Sequence, residues 1–212
     1  MGAKRWMLVY SRRTPREVLE AKPQLDREAS AALAKKLFPT ERLEPISDST
    51  LDFTGPPTYE LIVGCFPGLS IIAAREFAID YPSRLPSTFL GCGVGHTIYL
   101  HTVISVVDGF TFAIWKDGRL QRSLSVTSDG VLEDIGTRLP LEEPYWAGEH
   151  PVVDPDVDEE YPLPFHPLEL GDAALLEFFG YQLEGSQDSS RVNPEAIPLL
   201  RFRRPKPWWR LW

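Results

Sequence analysis

Cysteine is scarce in this sequence, which has two, Cys65 and Cys92, among its 212 residues. Cys65 lies in an apolar run and Cys92 lies between glycines, so we expect both to be buried thiols. Secreted domains that depend on disulfides carry a higher density of cysteines. The sequence therefore predicts no disulfide framework and a reducing compartment, the cytoplasm.

Long hydrophobic runs are also missing. Trp6–Tyr10 is the apolar stretch nearest the N-terminus, and it is too short for the core of a secretory signal. No stretch approaches the roughly 20 apolar residues that a helix needs to span a bilayer. We therefore expect no transmembrane segment.

Motifs for metals, nucleotides and activated nucleophiles are absent as well. His96 and His101 lie at an odd offset on one strand, which places them on opposite faces, and no zinc-type spacing of Cys and His occurs. Gly91–Gly95 precedes a strand instead of opening a helix, so it fits neither a dinucleotide fingerprint nor a phosphate loop. No Gly-x-Ser-x-Gly elbow is present. The sequence predicts no metal and no cofactor.

Positive charge is in short supply outside the C-terminus. The net charge is −8, and an acidic body repels nucleic-acid phosphates, which disfavours nucleic acid as its partner. Segment 203–212 forms a basic tail rich in tryptophan. Its candidate contact residues are Arg203, Arg204, Trp208, Trp209 and Arg210. Basic and aromatic residues together suit a membrane interface or a nucleic-acid backbone, so peripheral membrane contact by the tail stays open.

The most informative pattern in the chain is a β-meander over residues 96–135. Apolar residues alternate along 110–115 with period two, which indicates a half-buried strand. Asp117-Gly118 follows as a two-residue hairpin turn, and Asp129-Gly130 repeats the signal one strand later. The strand between these turns is expected to have one apolar face with a charged exception, made of Leu120, Arg122, Leu124 and Val126.

Helix signals flank this meander. Thr14 and Glu17 form a capping box for a short first helix, and apolar spacing predicts a second helix over 26–38. A late helix is expected over Asp172–Phe179, with Asp172 as its cap and Gly180 as its stop. The fold class is therefore α+β, a mostly antiparallel sheet of about six to eight strands with these three helices packed on it. We expect one domain over residues 1–202.

A proline-rich and aromatic segment, residues 136–168, follows the meander. We call it the strap, because we expect it to lie across the face of the sheet that the helices leave open. The residues that we expect to bind a ligand or partner are Trp115, Tyr145, Trp146, His150, Tyr161 and His166. The candidates for catalysis are Asp108, His150 and His166.

Several long phrases of the sequence, among them HTVISVVDGFTFAIWKDGRLQRSLSV, PYWAGEHPV and YPLPFHPLELGDAAL, resemble one family. It is a domain-of-unknown-function family of small cytoplasmic proteins from actinobacteria, and the resemblance covers about residues 3–202. The resemblance implies no activity, cofactor or catalytic residue.

Three functional hypotheses follow. The leading hypothesis is a non-catalytic binding or interaction module for an unknown protein or small molecule, because no catalytic motif survives inspection. The alternative is a small hydrolase with its site under the strap, around Asp108, Trp146, His150 and His166. A weaker alternative is an adaptor that contacts a membrane surface or nucleic acid through the tail.

Overall fold

The computed structural model describes residues 4–93, 95–152, 161–183 and 191–205. Within these ranges the chain forms ten strands and five α-helices. The strands are β1 (Lys4–Ser11), β2 (Glu44–Pro45), β3 (Ser49–Thr50), β4 (Glu60–Phe66), β5 (Leu69–Ala73), β6 (Thr97–Ile104), β7 (Gly109–Lys116), β8 (Arg119–Thr127), β9 (Gly130–Gly136) and β10 (Pro198–Arg203). The helices are α1 (Pro15–Glu20), α2 (Arg27–Leu37), α3 (Ser87–Cys92), α4 (Glu143–Trp146) and α5 (Pro167–Phe179).

The strands form one antiparallel sheet in the order β2-β10-β4-β5-β1-β6-β7-β8-β9, and β3 pairs with β10. The first strand lies at the centre, between β5 and β6. The meander β6-β7-β8-β9 forms one half of the sheet and ends at β9. The predicted α+β class and the antiparallel meander are confirmed, and the sheet is larger than the expected six to eight strands.

Both faces of the sheet are covered by other parts of the chain. The side chains of the central strand β1 are therefore buried on both faces from Arg5 onward. Helices α2 and α3 pack on one face, against Trp6, Leu8 and Tyr10. Helices α1 and α5 pack on the other face. The described part of the strap lies beside α5 and covers β7 and β8 there. The expectation that the strap takes the face free of helices is therefore wrong, since the two N-terminal helices lie on opposite faces.

A β-bulge changes the expected face of one strand. The register between β7 and β8 shifts after Ile114, so Gln121 is an extra residue in β8. Leu120 therefore packs with Trp115 on the α2 side, whereas Leu124 and Val126 pack under the strap. The expectation that Leu120 shares a face with Leu124 is wrong, because periodicity does not reveal a bulge.

Two helix starts differ from those expected. Helix α5 begins at Pro167 with His166 as its cap, so Asp172 lies inside the helix, where it pairs with Arg5 at 3.1 Å. The helix ends as predicted, with Gly180 in the left-handed conformation. Thr14 precedes α1 but makes no side-chain capping bond. Among the described residues, no helix has the length and apolar character needed to cross a membrane.

Candidate functional site

The strap is fixed to the sheet by a buried ion pair at its beginning. Nε of Arg122, on β8, donates to Oε1 of Glu142 at 2.8 Å, and Nη2 donates to Oε2 at 2.5 Å. Oε1 of Glu142 also accepts from the backbone N–H of Leu139 at 2.8 Å. This pairing sets the position of α4, which begins with the next residue.

Helix α4 presents two aromatic rings to Phe165. Tyr145 and Trp146 meet that ring edge to face, with centroid distances of 5.7 and 5.0 Å. The guanidinium of Arg138 lies over the Trp146 ring, 4.0 Å from its centroid. Aromatic side chains stabilise a fold mainly by burying their ring surface, so these contacts hold the strap on the core.

His150 lies on the outer surface of this aromatic group. Its ring stacks on Tyr145 at a centroid distance of 4.2 Å and an interplanar angle of 14°. The residue is exposed, and within the described ranges the structure gives its ring nitrogens no hydrogen-bond partner. His150 therefore offers a flat, accessible imidazole and not a base held in a cleft.

His166, the second histidine of the strap, is held by a hydrogen bond and a ring stack. Nδ1 of His166 accepts from the backbone N–H of Leu168 at 3.2 Å, which caps α5. Its ring stacks on Tyr161 at 5.9 Å and 18°, and Nε2 lies 3.9 Å from Oδ1 of Asp108. Because Nδ1 accepts a hydrogen bond, the proton of the neutral ring is on Nε2, on the side of Asp108.

Asp108 occupies the turn between β6 and β7 in the left-handed conformation, with φ +43°. Asp129 occupies the next turn at the same end of the sheet, between β8 and β9. Burial raises the pKa of the Tyr161 phenol, and the carboxylates of Asp108 and Asp129 raise that pKa further. The phenolic oxygen is buried and has no hydrogen-bond partner among the described residues. The Tyr161 phenol, the His166 imidazole and the Asp108 carboxylate thus lie close together at this end of the sheet, and the Asp129 carboxylate lies in the other turn there.

We define the strap surface as the set of side chains that the strap and this end of the sheet bring together. Its members are Asp108, Asp129, Tyr145, Trp146, His150, Tyr161 and His166. Carboxylates beside aromatic rings attract ammonium and guanidinium groups through Coulomb and cation–π interactions. Within the described ranges, no cluster of three or more His, Cys, Asp or Glu side chains could hold a metal ion.

Trp115 is not part of the strap surface. It is 3% exposed and packs with Tyr10 and Ile98 on the face of the sheet opposite to the strap. The alternation along β7 places it there, because Phe112 and Ile114 take the strap side. The structure therefore separates Trp115 from the other aromatic residues with which the sequence analysis grouped it.

The first residues of the basic tail have different roles. Arg203 ends β10 and is exposed. Arg204 is buried, where it pairs with Glu41 and Glu76, and its guanidinium lies 4.8 Å from the Phe38 ring centroid. Arg204 thus belongs to the fold. Trp208, Trp209 and Arg210 lie outside the described residues, so the role assigned to them stays a prediction.

Sequence reasoning assigned Asp129 to turn chemistry alone and did not name it as a site residue. A usable signal was present in the topology. In an antiparallel meander the first and third turns lie at the same end of the sheet, so the turns at Asp108 and Asp129 had to be neighbours. The approach of Tyr161 to both carboxylates depends on how the strap returns, which no local pattern contains.

A family model described as "Family of unknown function (DUF6928)" matches residues 5–202. No curated protein and no solved structure matches the chain. The matched region contains the whole strap surface and ends one residue before Arg203.

Proposed function

The chain belongs to the family of unknown function DUF6928, and for it we propose a non-catalytic binding module whose strap surface takes a positively charged group. The ligand is an ammonium or guanidinium, free or on a partner protein. The observation that carries the proposal is the Asp108 carboxylate 3.9 Å from Nε2 of His166, whose ring stacks on Tyr161, with Asp129 in the other turn at the same end of the sheet.

Charge and exposure both support a cationic ligand. The Asp108 side chain retains 39% exposure and the His166 side chain 28%, so a ligand can reach both from solvent. The net charge of −8 draws cations toward the molecule at long range.

The hydrogen bonding of His166 argues against catalysis. A general base must offer a free lone pair to the proton that it removes. In His166 the lone pair of Nδ1 already accepts from Leu168, and Nε2 carries the proton. The described residues give the nitrogens of His150 no hydrogen-bond partner, but the ring is exposed on Tyr145 and has no carboxylate to orient it among its described contacts.

We expect the double variant Asp108→Asn, Asp129→Asn to bind an arginine-rich peptide at least tenfold more weakly than the unaltered chain. Removing two carboxylates removes most of the local attraction, and tenfold corresponds to about 1.4 kcal/mol. Isothermal titration calorimetry at low salt, with a hexa-arginine peptide and a hexa-glutamate control peptide, measures the change.

Asp117→Asn is the matched control for this experiment. Asp117 also lies in a meander turn with positive φ, at 51°, but its turn is at the other end of the sheet. We expect its variant to bind the peptide as the unaltered chain does. Equal losses in the control and in the double variant would show nonspecific charge attraction and would contradict the proposal.

A small hydrolase is the second candidate, favoured by the approach of His166 to Asp108 at 3.9 Å. The variant that separates the two functions is His166→Asn, because asparagine can still cap α5. Hydrolysis of simple esters or phosphoesters that disappears in this variant would establish the enzyme. Absence of turnover together with peptide binding supports the binding module.

A further inference from the structure

The two edges of the sheet differ in how they are protected. One edge is β2, which has two residues and contains Pro45. Short edge strands and proline are the usual devices that prevent a sheet from pairing with another chain. The other edge is β9, which has seven residues and the sequence GVLEDIG, without lysine, arginine or proline. Among the described edge strands, β9 is the one that offers a partner a strand of useful length.

The side chains of β9 leave apolar surface at this edge. Val131 is 46% exposed, Leu132 is 38% exposed and Ile135 is 43% exposed. Both acids of the strand are paired within the molecule. Glu133 is buried and accepts from Ser123 and from Ser83, at 2.5 and 2.6 Å. The Asp134 side chain is 31% exposed and pairs with Arg122 at 2.5 Å and with Arg138 at 3.6 Å. Pairing with two cations reduces the repulsion that Asp134 exerts on an approaching strand.

Charge changes sign along the edge. The turn before β9 carries Asp129, and Asp108 lies in the adjacent turn at the same end of the sheet. The opposite end carries three exposed cations and one exposed acid, Lys116, Asp117, Arg119 and Arg138, of which Arg138 pairs with Asp134. A second copy that pairs antiparallel would bring its basic end to the acidic end of the first, and the reverse contact would occur at the other end.

We infer that β9 is a self-association edge, through which two copies of this chain pair antiparallel and extend the sheet across a two-fold axis. A two-fold interface uses the same patch twice, so the patch must complement itself. The β9 edge meets that condition through its exposed apolar residues and its oppositely charged ends. The acidic end of this patch uses Asp108 and Asp129, the two carboxylates of the strap surface, so a bound second copy and a cationic ligand would compete for them.

A bulge sets the expected strength of this association. The register between β8 and β9 shifts at Leu132, which leaves Glu133–Gly136 as the regular part of the edge. Four residues of ladder with flanking apolar contacts make a small interface. We therefore expect a dissociation constant of roughly micromolar order and not an obligate dimer.

The test is sedimentation equilibrium of the whole chain over a wide concentration range. We expect a monomer–dimer equilibrium whose dissociation constant rises at least tenfold in Val131→Lys and in Ile135→Lys, because a lysine at an edge opposes strand pairing. Tyr59→Lys is the matched control, since Tyr59 is 49% exposed and precedes β4, toward the other edge. It should leave the equilibrium unchanged.

A charge exchange tests the antiparallel orientation. Asp129→Arg and Arg119→Asp should each weaken the dimer, because each replaces an opposite-charge pair between residue 129 of one copy and residue 119 of the other by a like-charge pair. The double variant restores an opposite-charge pair between these two positions and should recover most of the affinity. A chain that stays monomeric at every concentration overturns the inference. So does a dimer that Tyr59→Lys weakens as much as Ile135→Lys, or one that the double variant does not restore.

Discussion

Replacing Glu142 with alanine is expected to lower the free energy of unfolding by about 3–5 kcal/mol. Arg122 and Glu142 are both fully buried, and the change leaves the guanidinium in the core with the partly exposed Asp134 as its one remaining carboxylate partner. Burial by itself would lower the pKa of Arg122, yet hydrogen bonds to Glu142 and Asp134 raise that pKa above its ordinary value. Urea denaturation measures the loss.

Two further variants show whether the uncompensated charge is the cause. Glu143→Ala changes the neighbouring exposed residue and should cost well under 1 kcal/mol. Arg122→Met combined with Glu142→Leu removes the charges together and should be clearly more stable than Glu142→Ala. If the double variant is the least stable of the three, the loss reflects packing and not the isolated charge.

Much of the sheet could be predicted because local chemistry determines it. Asp117 and Gly118 both have positive φ, at 51° and 73°, as the type I′ hairpin turn requires. The alternation over 110–115 places Phe110 under the strap and Ala113 on the opposite face. Period and turn type are properties of neighbouring residues, so a single sequence reveals them.

The candidate site was harder to predict, since it depends on contacts between residues far apart in the chain. Asp108 and His166 were both named as candidates, but only the return of the strap brings them to 3.9 Å. The extra residue Gln121 in β8 was invisible for a similar reason, because a bulge is defined by the partner strand. Arg122, noted as a charged exception on an apolar face, proved to be the anchor of the strap.

The start of the last helix was also mispredicted because a contact between distant residues is not visible in the local sequence. Aspartate before an apolar run is a common cap, and that pattern suggested the start of the last helix. The helix instead begins five residues earlier, at Pro167, because His166 caps it. Asp172 then faces Arg5 on β1, a pairing across most of the chain. A capping motif and a buried ion pair cannot be distinguished without the tertiary contact.

Lowering the pH from about 6.5 to 4 is expected to remove about 3 kcal/mol of stability through His101 alone. His101 is 1% exposed on β6, its Nε2–H donates to the carbonyl of Gly171 at 2.9 Å, and burial lowers its pKa to about 4. In the unfolded chain the ring takes a proton below about pH 6.5. Between these two pH values the unfolded state gains a proton and the folded state does not. The stability that the neutral His101 ring contributes is therefore fully present above about pH 6.5 and is lost as the pH falls toward 4.

The variant His101→Gln isolates this contribution, because glutamine can donate to Gly171 without titrating. Its free energy of unfolding is expected to be lower than that of the unaltered chain at pH 7.5, and the gap should shrink by about 3 kcal/mol as the pH approaches 4. His150→Gln, the same substitution at an exposed ring, is the control. The free energies of unfolding of His101→Gln and of the unaltered chain could instead change in parallel with pH. His101 would then have the same proton affinity in the folded and unfolded states, which would refute its burial as a neutral ring.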